Sequence, residues 1–165
     1  CSKEEDKKIA KKIGFKESSF NEILRKSDFI SFHVPLNDET RHMINLKSLK
    51  KIKKGVYLIN TSRGEVIDNT ALLAGLKKEI IAGAALDVLE GEGDLTGDSD
   101  LLLKEDATKE NLKIVIEDRS LIDMNNVIIP PHIAFYTNGA VQRIMDTSVE
   151  NIKRFVKGKM INKVI

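Results

Sequence analysis

Apolar residues recur at two different periods along this chain, and the alternation between them sets out its elements. Residues 7–13 ahead of Gly14 read as a short helix with a glycine stop, and Ser19 is placed to cap a second helix that buries Phe20, Ile23 and Leu24. Residues 29–34 are strand-like and end at Pro35. Asn45 can cap a helix carrying Leu46, Leu49 and Ile52, and a short continuous apolar run follows at 56–59, rich enough in β-branched residues for a buried parallel strand. Asp68 can cap the next helix over Ala71, Leu72 and Leu76, and the chain returns to an apolar strand at 80–88. Strands alternating with helices at this spacing predict βαβ units and a parallel, doubly wound α/β sheet.

After Val88 the periodicity loosens into Glu90-Gly91-Glu92-Gly93-Asp94, followed by charged helical stretches around 101–104 and 110–117. Long insertions of this kind are often functional. A last strand at 127–129 runs into Pro130-Pro131-His132. From Asn138 to Val156 the apolar residues Val141, Ile144, Met145, Val149, Ile152 and Phe155 fall on one stripe, which predicts a long C-terminal amphipathic helix.

Composition narrows the class further. With 165 residues and 41% hydrophobic content the chain is long enough to bury a core, and 27 Lys+Arg against 25 Asp+Glu leave a net charge of +2. That balance gives no reason to expect nucleic acid as a partner, and the lysines read as solvated helix faces. No run reaches the roughly 18 apolar residues of a membrane span. The single cysteine, Cys1, excludes an internal disulfide and fits a reducing compartment, so a cytoplasmic location is expected. The chain opens at Cys1 without an initiator methionine and enters a charged helix at once, which reads as a fragment.

The chemistry gathers at strand ends, where parallel sheets bind ligands. The strand at 56–59 ends in Asn60-Thr61-Ser62-Arg63-Gly64; Gly64 permits a sharp turn and presents Arg63, whose guanidinium suits a carboxylate or phosphate. Asp87 and Glu92 follow the next strand, and His132 the last. Taken singly, each has an ordinary explanation: a surface turn arginine, a turn-capping aspartate, an acid in an acidic loop, an interior histidine beside prolines. Together, at successive strand ends about 5 Å apart, they suit a hydroxy or keto acid. The arginine would orient the carboxylate, the histidine would exchange a proton with the hydroxyl oxygen, and the carboxylate would stabilise the imidazolium. No metal site is suggested, and His42 reads as a solvent-facing residue without a role.

Five motifs in this order, Phe32-His33-Val34-Pro35-Leu36, the stretch 40–44, the stretch 55–68, Ala82-Gly83-Ala84-Ala85-Leu86-Asp87-Val88 and Pro131-His132-Ile133-Ala134-Phe135-Tyr136-Thr137, resemble the D-isomer-specific 2-hydroxyacid dehydrogenases. The wording of the last is similar to the D-lactate and D-hydroxyisocaproate branch more than to the phosphoglycerate, glyoxylate or formate branches. The resemblance implies the second half of a Rossmann-type sheet, NAD as cofactor with NADP left open, and a 2-keto or D-2-hydroxy acid such as pyruvate or D-lactate as substrate. It implies carboxylate binding by Arg63, acid/base chemistry by His132 and pairing with Glu92, the second acidic residue after the strand, in preference to Glu90. Asp87 would hold the nicotinamide carboxamide. His33, Val34, Pro35 and Thr40 would line the adenosine side, Thr61, Ser62 and Arg63 would continue the cofactor contacts toward the nicotinamide, and Phe135 would line the substrate side with Arg63. A homodimer is implied as well.

The front of the family pattern is missing. No first, substrate-side domain precedes these motifs, and no G-x-G-x-x-G turn is present to receive a pyrophosphate. Gly91-Glu92-Gly93 with Gly97 imitates such a turn, but Glu92 and Asp94 within it would repel phosphate. Residues 1–136 are therefore expected to be the C-terminal portion of a nucleotide-binding domain, and 137–165 a helix and tail that pack on a domain not contained here. By itself the chain is expected to be inactive. The alternative reading, from another class, is a non-catalytic NAD-sensing interaction protein of the corepressor kind.

Overall fold

The computed structural model describes residues 10, 12–91 and 108–162. The chain divides into two compact units, Cys1–Ile129 and Pro130–Ile165.

In the first unit every β-strand is preceded by a helix whose start the sequence marks. Ser19 accepts a hydrogen bond from the Glu22 amide and opens helix α1, Phe20–Lys26, which leads into strand β1, Phe29–Phe32. Asn45 forms a reciprocal capping box with Ser48 at helix α2, Leu46–Leu49, ahead of strand β2, Val56–Asn60. Asp68 caps helix α3, Asn69–Lys77, through the Thr70 amide, and strand β3 follows at Ile81–Leu86. Thr108 caps helix α4, Lys109–Ile122, and strand β4 is the pair Val127–Ile128. All three strand pairings are parallel and the order is β1-β2-β3-β4, as the alternating pattern predicts.

Several boundaries differ from the expected ones, and three of the differences have a visible local reason. Helix α2 stops at Leu49 because Lys51 and Ile52 bond three residues back, tightening the turn; Ile52 is buried all the same. β1 ends at Phe32, opposite Asn60, since β2 turns away there. Ile80 bonds back to Gly75 of helix α3, so β3 starts one residue later. At the N-terminus, Ala10, Lys12 and Ile13 are helical and Gly14 follows at φ 85°, the left-handed stop expected of it. The remainder of the expected helix at 7–13, the stretch 101–104 and Glu92 with the following glycines lie outside the described residues.

The strands bury one face and leave the other bare. Ile30, Phe32, Val56, Leu58, Ile81, Ala84 and Leu86 turn to a core completed by Leu24, Ile44, Leu49, Val66, Leu72 and Leu76. Each fully buried side chain of this size contributes roughly 1.5–3 kcal/mol. On the opposite face Phe29 and Tyr57 stack at 5.2 Å between ring centroids, 65% and 46% exposed. A shallow groove of about 430 Å³ runs from this pair to Ala85, Asn126 and Ile128. None of the candidate site residues lines it.

The second unit is built on helix α5, Asn138–Val156, capped by the Thr137 hydroxyl on the Ala140 amide. Ile144, Met145, Val149, Ile152 and Phe155 are all about half exposed or more, and the polar side carries i,i+4 pairs between Glu150 and Arg154 and between Gln142 and Asp146. Among the described residues no helix is long and apolar enough to cross a membrane.

Candidate functional site

The turn that follows β2 is organised by its last strand residue. Asn60 is 1% exposed; its Oδ1 accepts from the amide and hydroxyl of Ser62 at 3.1 and 2.9 Å, and its Nδ2 donates to the Arg63 carbonyl at 2.8 Å. An asparagine bonding its own backbone two and three residues on makes a closed Asx-type turn. Arg63 lies at its exit, exposed, with Nη1 donating to the Ser62 carbonyl at 2.7 Å. Behind it comes a short 3-10 helix at Gly64–Val66, for which Arg63 is the N-cap.

Strand register lines up the neighbouring candidates. Phe32 pairs with Asn60 and Asn60 with Leu86, so His33, Thr61 and Asp87 stand level on three adjacent strand ends. The Asp87 amide donates to the Asn60 carbonyl at 2.9 Å, adding one more rung, and the residue is 7% exposed. A buried carboxyl-bearing residue thus stands one strand away from the exposed arginine turn. Ser62 is half-buried within the Asn60 turn. His33 is exposed and its Nε2 shares a hydrogen bond of 2.8 Å with Ser31 Oγ. Val34 packs partly on the core, while the Thr40 hydroxyl donates to the Pro35 carbonyl at 2.6 Å and accepts from the Asn37 amide at 2.9 Å, closing the loop after β1 on itself.

His132 and Phe135 belong to the second unit and are described within it. His132 adopts φ 53°, left-handed and uncommon for a residue with a Cβ, and its amide donates to the Pro130 carbonyl at 2.9 Å. Backbone in this region clusters at functional positions. Phe135 is 53% exposed and meets Tyr136 edge-on at 6.0 Å. Glu92 lies outside the described residues.

Two neighbours of these residues escape a sequence reading. His42 is not a plain solvent-facing side chain: it is half-buried, its Nε2 shares a 2.6 Å hydrogen bond with Glu90 Oε1, and its amide bonds the Glu65 carbonyl. Glu90 also accepts from the Asn69 amide at 3.3 Å. One turn further on, Asp118 of α4 is fully buried and accepts from Asn69 Nδ2 at 2.9 Å and from the Gly91 amide at 3.0 Å. Burial pushes its carboxyl up to about 6, the bonds from Asn69 and Gly91 oppose that rise, and the charges of Glu90 and Glu117 add to it. The partner of His42 is 48 residues away in sequence and those of Asp118 are 49 and 27 away, so no local pattern announces them. Asn60 had a signal, an asparagine at a strand end before Thr-Ser-Arg-Gly. Among the described residues no group of three or more His, Cys, Asp or Glu is placed to hold a metal ion.

A parallel α/β sheet whose carboxyl ends gather an arginine turn, a buried aspartate and a clasped loop defines a Rossmann-type dinucleotide-binding domain. The chain belongs to the D-isomer specific 2-hydroxyacid dehydrogenase family, whose NAD binding domain matches residues 1–134. It is 38% identical over 162 residues to an aromatic 2-oxoacid reductase of Clostridium sporogenes, covering 96% of this chain and 45% of that protein. It is 41% identical over 138 residues to a glyoxylate reductase of Thermofilum pendens, covering 84% of this chain and 34% of that one. Among solved structures, the D-lactate dehydrogenase of Aquifex aeolicus complexed with NAD and lactic acid superposes with a TM-score of 0.74 at 41% identity, covering 96% of this chain and 44% of that one. The chain thus spans less than half the length of these relatives.

Proposed function

We propose that the protein containing this chain reduces a 2-oxo acid to a D-2-hydroxy acid with NADH, and catalyses the reverse reaction with NAD. The observation that carries the reading is the Asn60-held turn that presents Arg63 just beyond the end of the strand next to the one leading into Asp87. In this scheme Arg63 pairs with the substrate carboxylate and fixes which face of the carbonyl is offered. Asp87 and the Thr61-Ser62 edge bind the amide end of the cofactor, and His33, Val34, Pro35 and Thr40 bind its adenosine side. When bound, the cofactor supplies the hydride that reaches the carbonyl carbon. His132 gives its ring proton to the carbonyl oxygen, and Glu92 favours the charged imidazolium from which that proton comes. Phe135 packs on the substrate side chain.

The resemblance also underlies three wider parts of the proposal. Residues 1–136 complete a nucleotide-binding domain whose first half lies elsewhere in the protein, and the apolar stripe of α5 packs on the substrate-side domain. The active species is a homodimer in the cytoplasm, a location the single cysteine also favours. The relatives' substrates differ, so pyruvate, an aromatic 2-oxo acid and glyoxylate are all tested. The relatives described lend no support to a corepressor-like role.

The test is NADH oxidation by the full gene product with each of these three acids. Turnover that is lost or weakened at least about 100-fold in Arg63→Ala, in line with a lost charge-assisted bidentate contact, supports the reading. Absence of turnover with all three, or an unaltered KM in Arg63→Ala, overturns it.

A further inference from the structure

The chain after β3 runs directly over the arginine turn. A Cβ added at Gly64 would stand 2.1 Å from both the carbonyl carbon and the oxygen of Leu89 and 2.5 Å from the Glu90 nitrogen, so the Leu89-Glu90 peptide rests on the Gly64 backbone. This strap is held at each side by a carboxylate. Glu90, its side chain 8% exposed, is bonded by His42 and by the Asn69 amide. Asp118, fully buried in α4, takes the Gly91 amide and ties it to the Asn69 side chain. The Thr70 hydroxyl completes the seam on Glu117 Oε1 at 2.7 Å.

Holding a backbone strap is an expensive use for such groups. Burying carboxylates costs several kcal/mol, and apolar residues of similar volume are often no less stabilising. What the carboxylates add over apolar packing is direction: Glu90 is fixed by His42 and the Asn69 amide, and Asp118 holds the Gly91 amide and the Asn69 side chain, on either side of the peptide that rests on Gly64. Arg63 is the preceding residue, exposed, with a long side chain whose Nη1 bonds the local Ser62 carbonyl at 2.7 Å. Its aim is therefore set by the backbone under it.

We propose that Glu90 and Asp118 are positioning residues for Arg63: by pinning residues 89–91 against Gly64 they fix the turn from which the guanidinium meets a substrate carboxylate. This rests on the reading of Arg63 given above. Neither residue touches substrate or cofactor.

The test compares Arg63→Lys, Glu90→Gln and Asp118→Asn in the full gene product, with KM and kcat for pyruvate, KM for NADH, and turnover of methylglyoxal, which keeps the reacting ketone and lacks the carboxylate. Expected is a rise of roughly 10- to 100-fold in the pyruvate KM for both pin variants, as follows from a displacement of about 1 Å at a binding group. KM for NADH and methylglyoxal turnover should change less than about twofold, the size at which independent sites are counted as uncoupled. In an Arg63→Lys background the pin substitutions should add no more than that same factor of about two. Losses that multiply in the double variants, or that fall equally on pyruvate and methylglyoxal, assign the pins to general stability and overturn the proposal. A normal pyruvate KM in a pin variant overturns it as well. Should Asp118→Asn fail to fold, Glu90→Gln and His42→Gln read the same strap from its more exposed side. If Arg63→Lys itself leaves the pyruvate KM unchanged, the carboxylate reading of Arg63 falls and the positioning role falls with it; a sensitive Arg63 beside insensitive pins removes the positioning role alone.

Discussion

Asn60 holds the carbonyl of Arg63 with its side-chain amide at 2.8 Å from inside the sheet, three residues before the arginine in sequence and 1% exposed. The buried end of a strand thereby sets the geometry of the exposed turn that carries Arg63. Asn60→Asp keeps the shape and the acceptor for Ser62 but replaces the donor with an oxygen that faces the Arg63 carbonyl. The expected cost is about 1–3 kcal/mol in urea unfolding, the usual penalty of a buried polar group left unmatched, together with a raised KM for the 2-oxo acid. A variant with wild-type stability and KM would show that the asparagine does not hold the turn.

Gly64 tests whether the strap lies where the structure puts it. Its φ is ordinary, so conformational freedom is not the reason for glycine here; contact is, because even a methyl group meets backbone atoms of Leu89 and Glu90. Gly64→Ala should lose about 1–3 kcal/mol or more, as overpacking against rigid neighbours does. Gly139→Ala, where the nearest atom is Arg143 Nη1 at 3.4 Å, serves as the control and should leave the urea midpoint almost unmoved.

Asp118 carries a pH dependence of known sign. Its folded carboxyl holds its proton up to about 6, above the ordinary 3.8, so the folded state binds more protons than the unfolded one between those values. Stability from this group is fully present below about pH 4, declines as pH rises, and is gone above about pH 6. The gap is worth on the order of 3 kcal/mol. Asp118→Asn removes this component: the stability of wild type relative to the variant should fall between pH 4 and pH 6 and stay level from pH 6.5 to 8. A difference that is flat across the whole range would place the proton elsewhere.

The fold was legible because its signals are local. Ser19, Asn45 and Asp68 each sit one residue ahead of an apolar helical run and each caps it, and the apolar run at 56–59 lies in the interior of the sheet. The placement of Arg63 and Asp87 just past strand ends was legible for a related reason, since polar residues that follow apolar strands stand out. The supports under them were not. Glu90 sits two residues from Glu92 in one acidic stretch, and only the fold distinguishes an acid bonded to His42 from its neighbours. Asp118 reads as one more charge in a charged helix, yet it faces inward because Asn69 and Gly91 offer it donors from distant parts of the chain. Periodicity reports which side of a helix is apolar, and a buried acid with remote partners violates that rule.

Thr40 offers a test that separates the proposed cofactor side of the site from the proposed substrate side. Its hydroxyl donates to the Pro35 carbonyl at 2.6 Å and accepts from the Asn37 amide at 2.9 Å, and it closes the loop after β1 together with Asn37 Oδ1, which accepts from the Glu39 and Thr40 amides at 3.0 Å. Thr40→Val keeps the volume and removes both bonds. Since the residue is only half-buried, water can replace part of what is lost, and the stability cost should be near 1 kcal/mol. On the proposed function the kinetic effect should be selective: a loosened loop at 35–40 should raise KM for NADH several-fold, while KM for the 2-oxo acid, assigned there to Arg63, should stay within about twofold. Thr40→Ser restores the hydroxyl and should restore the NADH KM. If Thr40→Val raises both constants together, the loop supports the whole sheet edge and has no particular role toward the adenosine side; if Thr40→Ser fails to rescue, the methyl group and not the clasp is what the loop requires.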